Sequence, residues 1–142
     1  MPKPTPSLTL ALLQARESAM AFFRPLLNEH GLTEQQWRVI RTLKQSPEAT
    51  LESYELAELA CILRPSLTGV LVRLERDGYV QRWKPECDQR RLCVTLTEQG
   101  HSLFEAMSIG MMRQYQKIQY QLGADNFKEL MALLRRLQQL EP

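Results

Sequence analysis

Histidine and cysteine are both scarce in this chain, which has two of the former and three of the latter in 142 residues. His30 and His101 stand far apart, and Cys61, Cys87 and Cys93 show no Cys-x-x-Cys spacing. A closed zinc site needs about four ligands, so no metal site is expected and no cofactor is implied. An odd number of unpaired cysteines argues against a disulfide framework and fits a reducing cytoplasm. There is no apolar run of about twenty residues, which excludes a membrane-spanning helix. The opening Met-Pro-Lys-Pro-Thr-Pro has no uninterrupted apolar stretch and does not read as a secretory signal. No glycine-rich phosphate loop, Gly-x-Ser-x-Gly or paired-carboxylate motif is present, so nothing points to an enzyme.

What is present is leucine, alanine, glutamine, glutamate and arginine, a composition that favours helices. The length fits one domain spanning 1–142. Charge is distributed unevenly. Residues 1–60 carry a net −1 and residues 98–142 a net 0, whereas residues 61–97 carry +3 from Arg64, Arg73, Arg76, Arg82, Lys84, Arg90 and Arg91 against four acids. A positive excess confined to one short segment is what a phosphate-contacting face requires.

The periodicity predicts a mainly α chain with one β-hairpin. After a stiff tail containing Pro2, Pro4 and Pro6, Ser7 caps a first helix that runs to about His30 and stops at Gly31. Leu8, Leu12, Ala15, Ala19, Phe22 and Leu26 form its apolar stripe, and Pro25 should bend it. Thr33 and Gln36 form a capping box for a second helix whose inner face holds Trp37, Ile40 and Leu43 or Lys44. A third helix is expected from Leu51, with Tyr54, Leu56, Ala57 and Ala60 inside. A tight connection that buries Cys61 leads to Pro65 in the first turn of a fourth helix. Leu67, Leu71 and Leu74 face inward there, and Gly78 ends it. Tyr79–Lys84 and Arg91–Leu96 read as paired strands, Thr97 caps a long helix to about Leu122, and 127–140 forms the last helix.

Two short helices followed at once by a basic hairpin predict a winged helix-turn-helix at 51–96. Its second helix would lie in the major groove of double-stranded DNA. Arg64, Pro65, Ser66, Thr68 and Gly69 occupy its first turns, where small residues permit close approach and free backbone N–H groups favour phosphate. Arg73 lies further along the same helix. Lys84, Asp88, Arg90 and Arg91 belong to the wing, where Arg90 suits a narrow minor groove and Asp88 can hold it in place. The alternative is that Arg73, Arg76 and Arg82 merely pair with Glu75, Asp77 and Glu86 on a solvated surface.

The run Leu74-Glu75-Arg76-Asp77-Gly78-Tyr79-Val80, then Asp88-Gln89-Arg90-Arg91 and Leu96-Thr97-Glu98-Gln99-Gly100, resembles the signature of the MarR family. The segments Gln14–Glu17, Phe23–Pro25, Glu34–Arg38 and Ala60–Gly69 are similar to its HpaR-type branch, which represses catabolism of aromatic acids such as hydroxyphenylacetates. Arg91 stands where the family often has glycine. The resemblance implies a homodimer on a pseudo-palindromic operator, with helices 7–30 and 98–140 dimerising, released by a small aromatic carboxylate.

That resemblance implies ligand-binding roles at Ser7, Arg16, Trp37, Arg41 and Tyr115. The residues themselves are compatible with such a site. Arg16 lies among Leu12, Ala19, Met20 and Phe23, where a buried guanidinium would need a partner. Glu34, Trp37 and Arg41 share a helix face, which sets an indole beside a cation able to grip a carboxylate. Ser7 and Thr9 can close the site from the partner subunit. Each of these residues also has an ordinary packing or pairing role open to it. The competing functional reading is a redox-sensing repressor acting through Cys87, whose thiolate the basic wing would favour.

Overall fold

A computed structural model describes residues 6–142, so Pro2 and Pro4 of the expected tail lie outside the described residues. The chain divides into two compact units, one from the N-terminal segment to Pro25 together with Gly110–Pro142, the other Leu26–Ile109. The elements in order are α1 (Leu8–Glu29), α2 (Glu34–Lys44), a 3-10 turn at Pro47–Ala49, β1 (Thr50–Glu52), α3 (Ser53–Leu59), α4 (Arg64–Arg76), β2 (Val80–Trp83), β3 (Cys93–Leu96), α5 (Glu98–Leu122) and α6 (Ala124–Gln138).

The helix ends follow from local chemistry. Ser7 Oγ accepts from the Leu10 amide at 3.2 Å, and α1 then runs through Pro25. At α2 the Thr33 side chain accepts from the Gln36 amide at 3.1 Å, while Gln36 Oε1 accepts from the Thr33 amide at 2.9 Å. That reciprocal bond lets Gln36 be buried, because its oxygen is satisfied. α1, α3 and α4 all end in the same way: the second residue past the cap donates back five positions, as Leu32 to Leu27, Ile62 to Ala57 and Tyr79 to Leu74. The left-handed residue this turn requires is Gly31 after α1 and Gly78 after α4, but Cys61 after α3, at φ 53°.

In Leu26–Ile109 the core is built from Val39, Ile40 and Leu43 of α2, Leu56 of α3, Leu71 and Leu74 of α4, Val94 of β3 and Met107 of α5. The three strands form an antiparallel sheet in the order β1-β3-β2, with Leu51 opposite Val94 on one side and Arg82 opposite Val94 on the other. Here the structure corrects the sequence reading. Leu51 does not begin a helix; it is the buried centre of β1, and α3 begins two residues later at Ser53. Tyr54, expected inside, is exposed. The hairpin strands are shorter than expected, since Arg91 lies in the loop and β3 begins at Cys93. At the root of α5, Thr97 donates to the Gly78 carbonyl at 2.6 Å and accepts from the Gly100 amide at 3.1 Å. Any Cβ on Gly100 would sit 2.3 Å from the Tyr79 carbonyl oxygen, so only glycine fits there.

The other unit is different in kind. Among its described residues none is buried. Tyr115 packs edge-on against Phe127 at 5.5 Å and tilted against Phe23 at 6.4 Å. Leu8, Leu13, Met112 and Leu133 stay more than half exposed, and Leu122 and Leu130 are also exposed. α6 begins at Ala124, earlier than the expected Phe127.

Candidate nucleic-acid interface

α4 owes its outward face to its inward one. Leu67, Val70, Leu71 and Leu74 are buried, which turns Arg64, Pro65, Ser66, Thr68, Gly69 and Arg73 to solvent. Its N-cap, Leu63, has no side-chain bond to the first turn, so the first backbone N–H groups are left to an external acceptor. A methyl group on Gly69 would meet nothing within 4 Å. The space over that residue is therefore open, and a duplex can approach the backbone. Arg64 lies over the Tyr54 ring at 6.0 Å. Tyr54 in turn sits on an acidic edge of α3: the charge of Glu52 foremost, then that of Glu55, pushes its phenol up.

The wing is fixed at its root and projects at its tip. Trp83 Nε1 donates to Thr95 Oγ1 at 2.9 Å, and Thr95 shares a 2.8 Å bond with Thr50, so one polar chain crosses all three strands. Glu75 of α4 accepts from the Arg82 amide at 2.8 Å and from its guanidinium at 3.0 Å. These side-chain and backbone bonds from Arg82 hold the Glu75 carboxyl below the usual range. At the tip, Asp88 Oδ1 accepts from both the backbone amide and Nε of Arg90, each at 3.1 Å. The Arg90 side chain is 92% exposed, so a bonded aspartate aims a guanidinium that stands in solvent. Lys84 is exposed beside it. Arg91 turns the other way and pairs with Glu52 of β1.

The solvated-pairing alternative therefore holds for part of the set. Arg82 pairs with Glu75, and Arg76 with Asp77 at 3.2 Å. Arg73 remains exposed on the face of α4.

The residues expected to bind a ligand divide between the two units. In the unit of the terminal segments, Ser7 and Thr9 approach each other at 3.4 Å, Phe23 contacts Tyr115, and Met20 is half-buried. Arg16 is exposed, not the buried charge that its apolar neighbours suggested. In Leu26–Ile109, Trp37 is buried and stacks on Phe104 at 5.4 Å with planes only 7° apart, and Arg41 is exposed on the same helix. Glu34 pairs with Arg38 at 2.8 Å.

Sequence spacing did not single out Arg38. Its guanidinium also donates to the carbonyls of Ala60 at 2.8 Å and Cys61 at 3.0 Å, which ties α2 to the turn before α4. Of the two candidates for the inner face of α2, Leu43 is the buried one and Lys44 lies at its edge. Lys44 bonds His101 Nδ1 at 2.9 Å, pairs with Glu105 at 3.4 Å and lies over Phe104. An ammonium only donates, so in this contact Nδ1 accepts. All three cysteines are free. Cys93 is buried, Cys87 is exposed in the wing, and Cys61 is exposed where burial was expected, because its left-handed backbone turns it outward.

A model of the MarR family matches residues 32–92. The homoprotocatechuate degradative operon repressor of Escherichia coli is 50% identical over 128 residues, covering 90% of this chain and 85% of that protein. The crystal structure of the transcriptional regulator PA4135 superposes with a TM-score of 0.92 at 59% identity, over 97% of this chain and 100% of that one. NadR, solved in complex with 4-hydroxyphenylacetate, gives a TM-score of 0.84 at 44% identity over 99% of this chain and 100% of its own. The six helices and three-stranded wing sheet of the described residues are thus those of a winged helix-turn-helix regulator, and the chain belongs to the MarR family.

Proposed function

We propose that this protein is a homodimeric, DNA-binding repressor of an aromatic-acid catabolic operon, released from its operator by a small aromatic carboxylate of the hydroxyphenylacetate type. It works in the cytoplasm and carries out no catalysis. The observation that carries the DNA-binding half is the exposed face of α4 beside a wing whose Arg90 is held ready by Asp88. Arg64, Pro65, Ser66, Thr68, Gly69 and Arg73 would enter the major groove. Lys84 and Arg90 would follow the backbone into the minor groove, with Arg91 behind them. Two such units on a two-fold axis would address half-sites about 34–36 Å apart.

The effector half is supported by the likeness to the homoprotocatechuate operon repressor and to NadR, crystallised with 4-hydroxyphenylacetate. Ligand-binding roles are assigned to Arg16, Met20, Phe23 and Tyr115 in the unit of the terminal segments, and to Trp37 and Arg41 in Leu26–Ile109, with the arginines suited to a carboxylate and Tyr115 to a phenol. Glu34 would set the polarity of the α2 side, and Ser7 and Thr9 of the partner subunit would close the site. A ligand shifts the protein away from its DNA-bound form only if it binds the other form more tightly.

The test begins with a duplex selected from a random pool by the purified protein. Added 4-hydroxyphenylacetate should release it. At a hundred times its dissociation constant the ligand should also add about 2.7 kcal/mol of stability to the free protein. Arg16→Ala should bind the duplex but ignore the ligand. A duplex that stays bound with every aromatic acid tried, with no thermal shift, would overturn the effector reading.

A further inference from the structure

Arg90 and Arg91 are neighbours in sequence and carry the same charge, yet the structure treats them differently. Asp88 accepts from the amide and Nε of Arg90 and leaves the rest of that side chain 92% exposed. Glu52 pairs with Arg91 from β1, across the base of the wing. The Glu52 side chain is only 18% exposed, and Arg91 stands at 46%. Glu52 is the one carboxylate paired with Arg91 among the described residues.

The ion pair is not what holds the wing to β1. The Ser53 amide donates to the Leu92 carbonyl at 2.9 Å, Glu52 pairs with Cys93 in the ladder, and Thr50 bonds Thr95. Those contacts persist with or without a charge on Glu52. Glu52 is partly buried and is also the N-cap of α3, in a capping box with Glu55 that an uncharged Gln at this position can keep. A phosphate oxygen can accept from the Arg91 guanidinium as the Glu52 carboxylate oxygen does.

We propose that Glu52 is an intramolecular stand-in for phosphate: it withholds Arg91 from DNA and so limits the affinity of the wing for duplexes of arbitrary sequence. An interaction that weakens every duplex alike leaves discrimination to α4 and Arg90. The inference rests on the DNA-binding reading above.

The experiment measures binding of the full chain to a random-sequence 30-base-pair duplex across a salt series. Each phosphate newly neutralised steepens the plot of log affinity against log salt by about 0.9. Glu52→Gln, which keeps the shape and removes the charge, should tighten binding roughly three- to tenfold near physiological salt and steepen the slope by about 0.9 per protomer. Glu52→Asp, which keeps the charge but shortens its reach, should move both quantities in the same direction. Arg91→Ala should cost more affinity in the Glu52→Gln background than in the parent, and the double variant should lose the extra slope. Thermal midpoints of all variants verify that they fold. If Glu52→Gln folds and leaves the slope unchanged, or weakens binding, the inference fails while the DNA-binding reading stands. If Arg91→Ala costs the same in both backgrounds, Glu52 does not withhold it. If the parent protein binds no duplex even at low salt, both readings fall.

Discussion

The two compact units carry the same kind of leucine-rich helix but leave it in opposite states. In Leu26–Ile109, the apolar stripes of α2, α3 and α4 meet one another and the sheet, and Val39, Ile40, Leu43, Leu56 and Leu74 are sealed from solvent. In the unit of the terminal segments, α1 and α6 present Leu8, Leu13 and Leu133 at 52–62% exposure, and nothing among the described residues seals them. A pattern of apolar residues decides which face of a helix wants cover; it does not decide what supplies the cover. A large exposed apolar stripe marks an interface, which is why a second copy of the chain fits the proposed function.

The comparison can be broken most sharply by the same kind of change in each unit. Leu74→Ala, in the sealed core, should lower the free energy of unfolding by about 2–5 kcal/mol in urea titrations. Leu133→Glu should leave the core of Leu26–Ile109 intact and instead shift sedimentation from dimer toward monomer. A Leu133→Glu protein that sediments unchanged would show that α6 covers nothing.

Two glycines sharpen the contrast within Leu26–Ile109. Gly100→Ala drives a methyl into the Tyr79 carbonyl and should cost about 1–3 kcal/mol. Gly69→Ala meets nothing in the protein and sits inside α4, so it should stabilise the fold by about 0.5–1 kcal/mol while weakening binding to the selected duplex. Equal effects on stability would remove the distinction between a glycine kept for packing and one kept for access.

An effect of comparable size is expected at the turn before α4. Cys61 adopts the left-handed conformation that glycine takes after α1 and α4, so Cys61→Gly should raise stability by about 1 kcal/mol at unchanged denaturant slope.

The smallest effect is on pH. The Glu75 carboxyl titrates below its ordinary range because Arg82 bonds the charged form. Its contribution is complete above the unfolded value near pH 4.3 and is lost as pH falls through the lower, folded value. Glu75→Gln should flatten that part of the stability profile, with the difference confined to acid. A parallel loss in parent and variant would assign acid sensitivity elsewhere.

Much of this was legible in the residues, and the parts that were not share a cause. Caps speak locally: Ser7, Thr33 with Gln36, Pro65, Gly78 and Thr97 each mark an end that the structure keeps. The inward stripe Leu67, Leu71 and Leu74 identified α4, and Asp88 was matched to Arg90 because the two lie two residues apart. β1 was not legible. Three residues are too few to show alternation, and Leu51 falls in helical phase with later apolar residues. Only pairing with β3, forty-odd positions away, makes it a strand. Long sequence separation likewise hid Glu52 behind Arg91 and Ala60 behind Arg38, since such partners leave no spacing to read. Of the ligand-binding set, sequence could group residues on one helix, such as Trp37 and Arg41, but resemblance had to join them to Arg16 and Tyr115.

Arg38 deserves a last consequence. It is anchored on α2 by Glu34 and grips two successive carbonyls, Ala60 and Cys61, in the elbow that leads into α4. Both bonds come from one guanidinium nitrogen, so a single side chain of α2 holds two carbonyls of the elbow. Any tilt of α2, including one begun at Trp37 one residue before, either carries the reading helix with it or tears both bonds. The reading helix is thus linked to α2 both by these bonds and by the core the two helices share.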